Sequence, residues 1–265
     1  MSTGIVVYGT SPTQVVSTLE VAEDLFRQLG SAATRAVFLK FVVRGAERTI
    51  DDQETSLPDL RSKISTGEVS AFQVFSDEKT VDVPTISFGC NVPEFGGLSF
   101  IDVQIERAVC EINKEIEKFL ENVVARLSCK YAIAYDAEKS SIAYKYSTGV
   151  NLVRIFPFEN TSLFTRELPG RVPGSASYER ERLRMIYPLN VLNENHLKIC
   201  VDGISLREWI VSDSSRGSLR SIPNNMWLWT VDDADLTEVN NACGEAGILL
   251  AWQKPPASKP VRRLP

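Results

Sequence analysis

The chain has 265 residues, 43% of them apolar and 24% charged, with a formal net charge of -5. That is enough apolar content for one large core or two small ones, and unlike the composition of a disordered chain. Lys and Arg are interspersed with Asp and Glu rather than gathered into a basic field, and no run approaches the ~18 apolar residues of a membrane span, so neither a nucleic-acid partner nor a membrane is expected.

Ile5 to Tyr8 is a β-branched run that reads as an edge or first strand, broken at Gly9. Ser11-Pro12 suits a helix start, and Val15, Leu19, Ala22, Phe26 and Leu29 recur at spacings of three and four, placing them on one face of a helix that Gly30 ends. Val37 to Val43 reads as a strand, and the polar, acidic stretch from Gly45 to Ser56 as a loop. A short helix around Leu57 to Ile64 follows, then strands at Val69 to Phe75, Val83 to Val92 and Leu98 to Ile105. The clearest helix runs from about Glu106 to Leu127, with Val109, Ile112, Ile116, Phe119, Val123 and Leu127 on its buried face.

Beyond it, Tyr131 to Tyr135 and Ser141 to Tyr146 have hairpin-like spacing, and Leu152 to Phe156 reads as a third strand. Pro157 to Ser177 reads as a long irregular loop or lid, and Tyr178 to Met185 as helical. Ser205 and Glu208 have the spacing of a capping box on a short helix to Ile210. Ser218-Leu219 and Met226 to Val231 read as two strands around Pro223-Asn224-Asn225, followed by a helix through Leu236, Val239 and Ala242 and a final strand from Ile248 to Trp252.

The fold class expected is α+β: mainly antiparallel sheet with helices packed on one side. Residues 1–128 and 129–254 form two candidate subdomains, followed by a flexible Pro-rich tail at 255–265; one continuous sheet stays open as the alternative. The five cysteines, Cys90, Cys110, Cys129, Cys200 and Cys243, are odd in number and irregular in spacing. They suit free thiols in a reducing compartment better than a disulfide framework or a zinc knuckle. The N-terminus lacks the basic and apolar regions of a signal peptide, so the expected location is the cytoplasm.

Candidate chemistry is sparse. His196 is the single histidine, with Cys200 four residues on; a lone histidine among asparagines is more often structural than catalytic. Asp102 and Glu106, at a strand–helix junction, could work as a carboxylate pair, but alternation sets Asp102 with Gln104 away from Ile101, Val103 and Ile105, and the plainer reading is a solvent-facing side. Gly4 to Pro12 has neither a dinucleotide fingerprint nor a Walker pattern. Trp227 and Trp229 share a strand face that is either core or an exposed interface. No catalytic residue, cofactor or metal is assigned.

Arg184 to Leu192, His196-Leu197, Leu206 to Ile210, Gly217 to Leu219 and Met226 to Val231 together resemble bacterial immunity-like proteins that sit beside secreted polymorphic toxins, over about residues 178 to 252. That resemblance implies a stoichiometric inhibitor which binds a cognate toxin, without turnover or cofactor. An enzyme with a pocket near His196 and a structural or assembly protein, including a homodimer, are the alternatives. The acidic set Asp51, Asp52 and Glu54, together with Arg166, Glu167, Arg171 and Tyr178 in and beside the Pro-rich loop, are the candidate contact residues, because loops on a rigid scaffold can carry specificity.

Overall fold

The computed structural model describes residues 1–44, 47–76, 85–96, 99–149, 153–167 and 176–254. In chain order its elements are β1 (Ser2–Tyr8), α1 (Val15–Gln28), β2 (Arg35–Arg44), β3 (Glu47–Thr55), α2 (Leu57–Ser65), β4 (Phe72–Ser76), β5 (Ile86–Asn91), α3 (Pro93–Gly96), β6 (Phe100–Ile105), α4 (Asn113–Arg126) and β7 (Tyr131–Ala137). They continue with α5 (Ser140–Ser147), α6 (Thr161–Arg166), β8 (Leu189–Asn193), α7 (Glu194–Leu197), β9 (Cys200–Val201), β10 (Ile204–Ser205), α8 (Leu206–Val211), β11 (Ser218–Ile222), β12 (Met226–Thr230) and α9 (Leu236–Glu245).

The fold is α+β, built on one ten-stranded sheet in the order β11-β12-β8-β7-β1-β6-β5-β4-β2-β3. Every pairing in it is antiparallel. β1 is not an edge strand: it lies between β6 and β7, and all seven of its residues are buried. A strand covered on both faces reads as a continuous apolar run, and Gly4 to Tyr8 does so. The sheet crosses residue 128 without a break, because β1 of the first segment pairs with β7 of the second over Ser2 to Tyr8.

Helices α1, α2 and α4 pack on one face of the sheet. Leu19, Ala22 and Phe26 of α1, Leu60 and Ile64 of α2, and Ile116, Phe119 and Val123 of α4 join Ile5, Val7, Phe88, Val103 and Leu228 in a single apolar cluster. Arg126 ties α4 to α1 by reaching Asp24 at 2.8 Å and also Glu20. Arg220 ties it to β11 by reaching Glu117 at 2.7 Å and also Glu121.

On the opposite face a second cluster covers β1, β7, β8 and β12. It contains Tyr8, Tyr131, Tyr135 and Trp229 from the strands, Tyr146 of α5, Phe164 of α6, Trp209 of α8, and the segments around Leu183 to Tyr187 and Ile248 to Ala251. A single row of paired residues crosses this face: Leu219, Trp229, Asn190, Ile133, Val6, Asp102, Gly89, Gln73, Val37 and Glu54. Trp229, Asn190, Ile133, Val6 and Asp102 are buried in it, whereas the Glu54 side chain is 76% exposed. The cover therefore ends between β6 and β2.

Several elements differ from their sequence reading. Residues 47–55 form a strand rather than a loop; backbone pairing with β2 holds them extended, although Ile50 is their single apolar side chain. Ser141 to Tyr146 lies in helix α5, which buries Ala143, Tyr146 and Ser147 at helical spacing. Residues 153–156 are not a strand, and Leu152 lies outside the described residues. Tyr178 to Met185 is not helical beyond a 3-10 turn at Ser177–Glu179, because Leu183 is held in a bridge with Leu249. Residues 248–252 make only isolated bridges, Leu249 to Leu183 and Trp252 to Glu159. The Pro157 to Ser177 stretch contains α6, and its residues 168–175 lie outside those described. Among the described residues, no helix is long and apolar enough to cross a membrane.

Candidate functional site

Asp51, Asp52 and Glu54 sit on β3, the last strand of the sheet. Asp52 and Glu54 pair with Leu39 and Val37 of β2, and Ile50 with Phe41, so acids and apolar side chains share the uncovered face. Val43 is 71% and Ile50 46% exposed there. Phe95 of α3 stacks on Phe41 at 4.7 Å, Arg48 lies 3.6 Å over the same ring, and Arg35 lies 5.0 Å over Phe75 while meeting Glu54 at 3.7 Å. The outer edge of β3 pairs with no other described strand. An edge rich in charge is protected from adventitious pairing yet remains open to a selected partner.

The other candidates lie elsewhere. Arg166 is exposed at the end of α6, and Glu167, which follows it, accepts a bond from Ser177 Oγ at 2.7 Å. Helix α6 packs over β1 through Phe164 and Tyr8, and β1 is five strands from β3, about 24 Å at the usual interstrand spacing. The two sets therefore form separate surfaces. Arg171 lies outside the described residues. Tyr178 is only 1% exposed, its ring packed against Tyr8 at 5.0 Å and Phe164 at 5.5 Å, so it supports α6 from beneath and cannot itself meet a partner.

His196 is a structural cap. Its Nδ1 accepts the Asn193 amide at 3.2 Å, which leaves Nε2 carrying the hydrogen and donating to the Tyr178 carbonyl at 2.8 Å. Burial lowers its pKa to about 4 against that carbonyl bond, so the ring is neutral at pH 7 and both nitrogens are committed. Cys200 is exposed on β9. A pocket-bound catalytic histidine is not what the geometry provides.

Asp102 is not on a solvent-facing side: it is 1% exposed, beneath α5, and accepts from Asn91 Nδ2 at 2.6 Å and Gln104 Nε2 at 2.9 Å. Burial raises its pKa, and those two bonds act against the rise. Glu106 is exposed, so the two carboxylates do not form a pair across a cleft. Trp229 is core, donating to the Arg216 carbonyl at 2.8 Å, while Trp227 is half-buried beneath the Arg207 guanidinium and donates to Glu194 at 2.7 Å. Among the described residues, no group of His, Cys, Asp and Glu side chains could hold a metal ion.

Two features escaped the sequence. The first is a buried cation. Arg184 donates to Tyr8 Oη at 3.0 Å, its guanidinium lies 3.7 Å from the Tyr146 ring centre and 4.2 Å from that of Phe164, and its Nε has no partner among the described residues. Glu159 balances its charge from behind Tyr146, whose hydroxyl donates to Glu159 at 2.6 Å; Tyr187 in turn donates to Tyr146 at 2.7 Å. Burial raises the Glu159 pKa and the Arg184 charge draws it back. The second is a cavity of about 800 Å³ between the end of β7, α5, residues 153–156 and the start of α9. Ile142, Ile155, Leu236 and Phe156 line it beside the buried Tyr135, and Asp136, Glu138, Asp233 and Arg154 carry its charge.

No family model matches the chain, and no curated protein matches it. Among solved structures, it is similar to the Pseudomonas aeruginosa T6SS protein PA0821, with a TM-score of 0.57 and 14% identity over 94% of this chain and 73% of that one. At that identity the likeness is one of fold. The toxic C-terminal tip of CdiA from Pseudomonas aeruginosa, in complex with immune protein, superposes with a TM-score of only 0.30 and 10% identity, over 53% of this chain and 88% of that one, too distant to argue from.

Proposed function

We propose that this chain is an immunity-type protein that binds one cognate toxin at one-to-one stoichiometry and neutralises it without turnover. The observation that carries this reading is the open margin of the sheet: β2 and β3 present Val43, Ile50, Asp52 and Glu54 on a face whose other half is covered throughout. Exposed apolar side chains beside the Asp52 and Glu54 carboxylates suit a protein partner with basic side chains, steered in by charge and held by burial. The fold shared with a T6SS protein agrees with a place in a toxin-linked system. Arg166 and Glu167 supply a second contact surface in this reading, with Tyr178 bracing it from below.

The test is affinity capture from the source organism with this chain as bait, followed by expression of each captured protein alone and together with the bait. A single partner that arrests growth alone and is neutralised at equimolar expression supports the reading. Asp52→Lys with Glu54→Lys should then abolish both capture and protection while leaving the fold intact. Protection that survives these changes rejects the margin as the contact, and a captured set containing no toxic protein rejects the function.

A further inference from the structure

We propose that the cavity between β7, α5, residues 153–156 and α9 is a binding site for a small organic cation with an apolar body, such as an aromatic or alkyl amine. This inference stands apart from the protein-binding reading and uses a different part of the molecule.

The volume, about 800 Å³, lies within the range of small-molecule sites. Its walls divide by chemistry. Ile142, Ile155 and Leu236 offer apolar contact, and the half-buried Phe156 offers an aromatic ring to a cationic group. The charged lining is Asp136, Glu138 and Asp233 against Arg154, with the Met1 ammonium acting on Asp136. Carboxylates outnumber the cations, and Asp232 and Asp235 flank Asp233 in the turn that enters α9.

Asp136 is the focal group. It is half-buried, and its Oδ1 accepts the Val109 amide at 2.8 Å. Among the described residues no donor is bonded to its Oδ2, and the Asp233 charge acts on it unfavourably. An ammonium held in the cavity would relieve the like-charge repulsion between Asp136 and Asp233. The aromatic wall is set in advance. Glu159 Oε2 accepts the Ile155 amide at 3.2 Å, and Phe156 packs on Phe158 at 5.4 Å and on Tyr187 at 5.8 Å. A wall fixed before binding lowers the ordering cost of a ligand.

The experiment is calorimetric titration at pH 7 with three probes of one shape: 2-phenylethylamine, 2-phenylethanol and 3-phenylpropionate. The expected order is amine, then alcohol several-fold weaker, then carboxylate without measurable binding. Asp136→Asn and Asp233→Asn should each weaken the amine about three- to five-fold, the effect of one partly exposed charge, and leave the alcohol unchanged. Val153→Trp, which fills the cavity, should abolish binding of both, with an unaltered circular dichroism spectrum as the control for folding. Equal affinity for amine and alcohol, tighter binding of the carboxylate, or no saturable binding of any probe would each overturn the proposal.

Discussion

The row from Leu219 to Glu54 passes through two environments on one face of one sheet. From Trp229 to Asp102 it lies under helices and extended segments and is buried. From Gln73 to Glu54 it is half-buried and then exposed. Backbone pairing is continuous across both halves, so the sheet alone does not decide what is core. The covering layer does, and it is contributed almost entirely by residues 140–254. The closed half should therefore be sensitive to substitution, and the open half should be tolerant of it except in binding.

The strongest way to break the closed half is Arg184→Met. It leaves the buried Glu159 without its counter-charge, and should cost about 3–5 kcal/mol in urea denaturation. Adding Glu159→Gln should recover much of that loss; if the double variant is no more stable than the single, the two groups are not coupled.

His196→Gln should cost about 2–3 kcal/mol at pH 7, because it disrupts the cap on α7 and the bond to the Tyr178 carbonyl. The pH dependence follows from a folded pKa of about 4, well below the ordinary histidine value. Below pH 6.5 the unfolded chain takes up a proton that the folded chain refuses, so this contribution is complete above pH 6.5 and declines toward pH 4. The gap between the native protein and the variant should narrow over that window, and a constant gap would show that the ring is not held neutral.

Gly89→Ala probes the boundary between the halves. Its Cβ would stand 2.5 Å from Asp102 Oδ1 and 3.0 Å from Asp102 Cγ, and the carboxylate is pinned by Asn91 and Gln104. A cost of about 1–3 kcal/mol is expected from overpacking. Smallest of all, Ile50→Ser and Asp52→Lys in the open half should change stability by no more than about 0.5 kcal/mol. A large loss there would mean that β3 is part of the core after all.

The sequence was legible where burial follows local periodicity, on either face of the sheet. The α1 and α4 stripes, the β11–β12 hairpin around Asn224 and Asn225, and the Ser205–Glu208 capping box are all present. It misled where burial comes from afar. Asp102 alternates as an exposed residue would, but α5, some forty residues downstream, covers it. Helix α5 itself imitates a strand, because Ile142, Tyr144 and Tyr146 alternate while the buried set is Ala143, Tyr146 and Ser147. β3 has too few apolar residues to announce a strand, since β2 supplies its pairing. The acidic contact candidates were visible as a charge cluster. The cavity was not, because its lining comes from segments scattered between Met1 and Leu236.

An unpaired strand edge can template its own polymerisation, and β3 carries the means to prevent it. Stacked parallel and in register, as in a cross-β fibril, copies of β3 would set Glu47, Asp51, Asp52 and Glu54 each against its own kind, with Arg48 doing likewise. This safeguard is electrostatic, so salt weakens it: near 1 M, where charges are screened within about 3 Å, light scattering from concentrated protein should rise. Replacing those four acids with neutral residues should produce the same clouding at low salt, which would make colloidal solubility a second property written into β3.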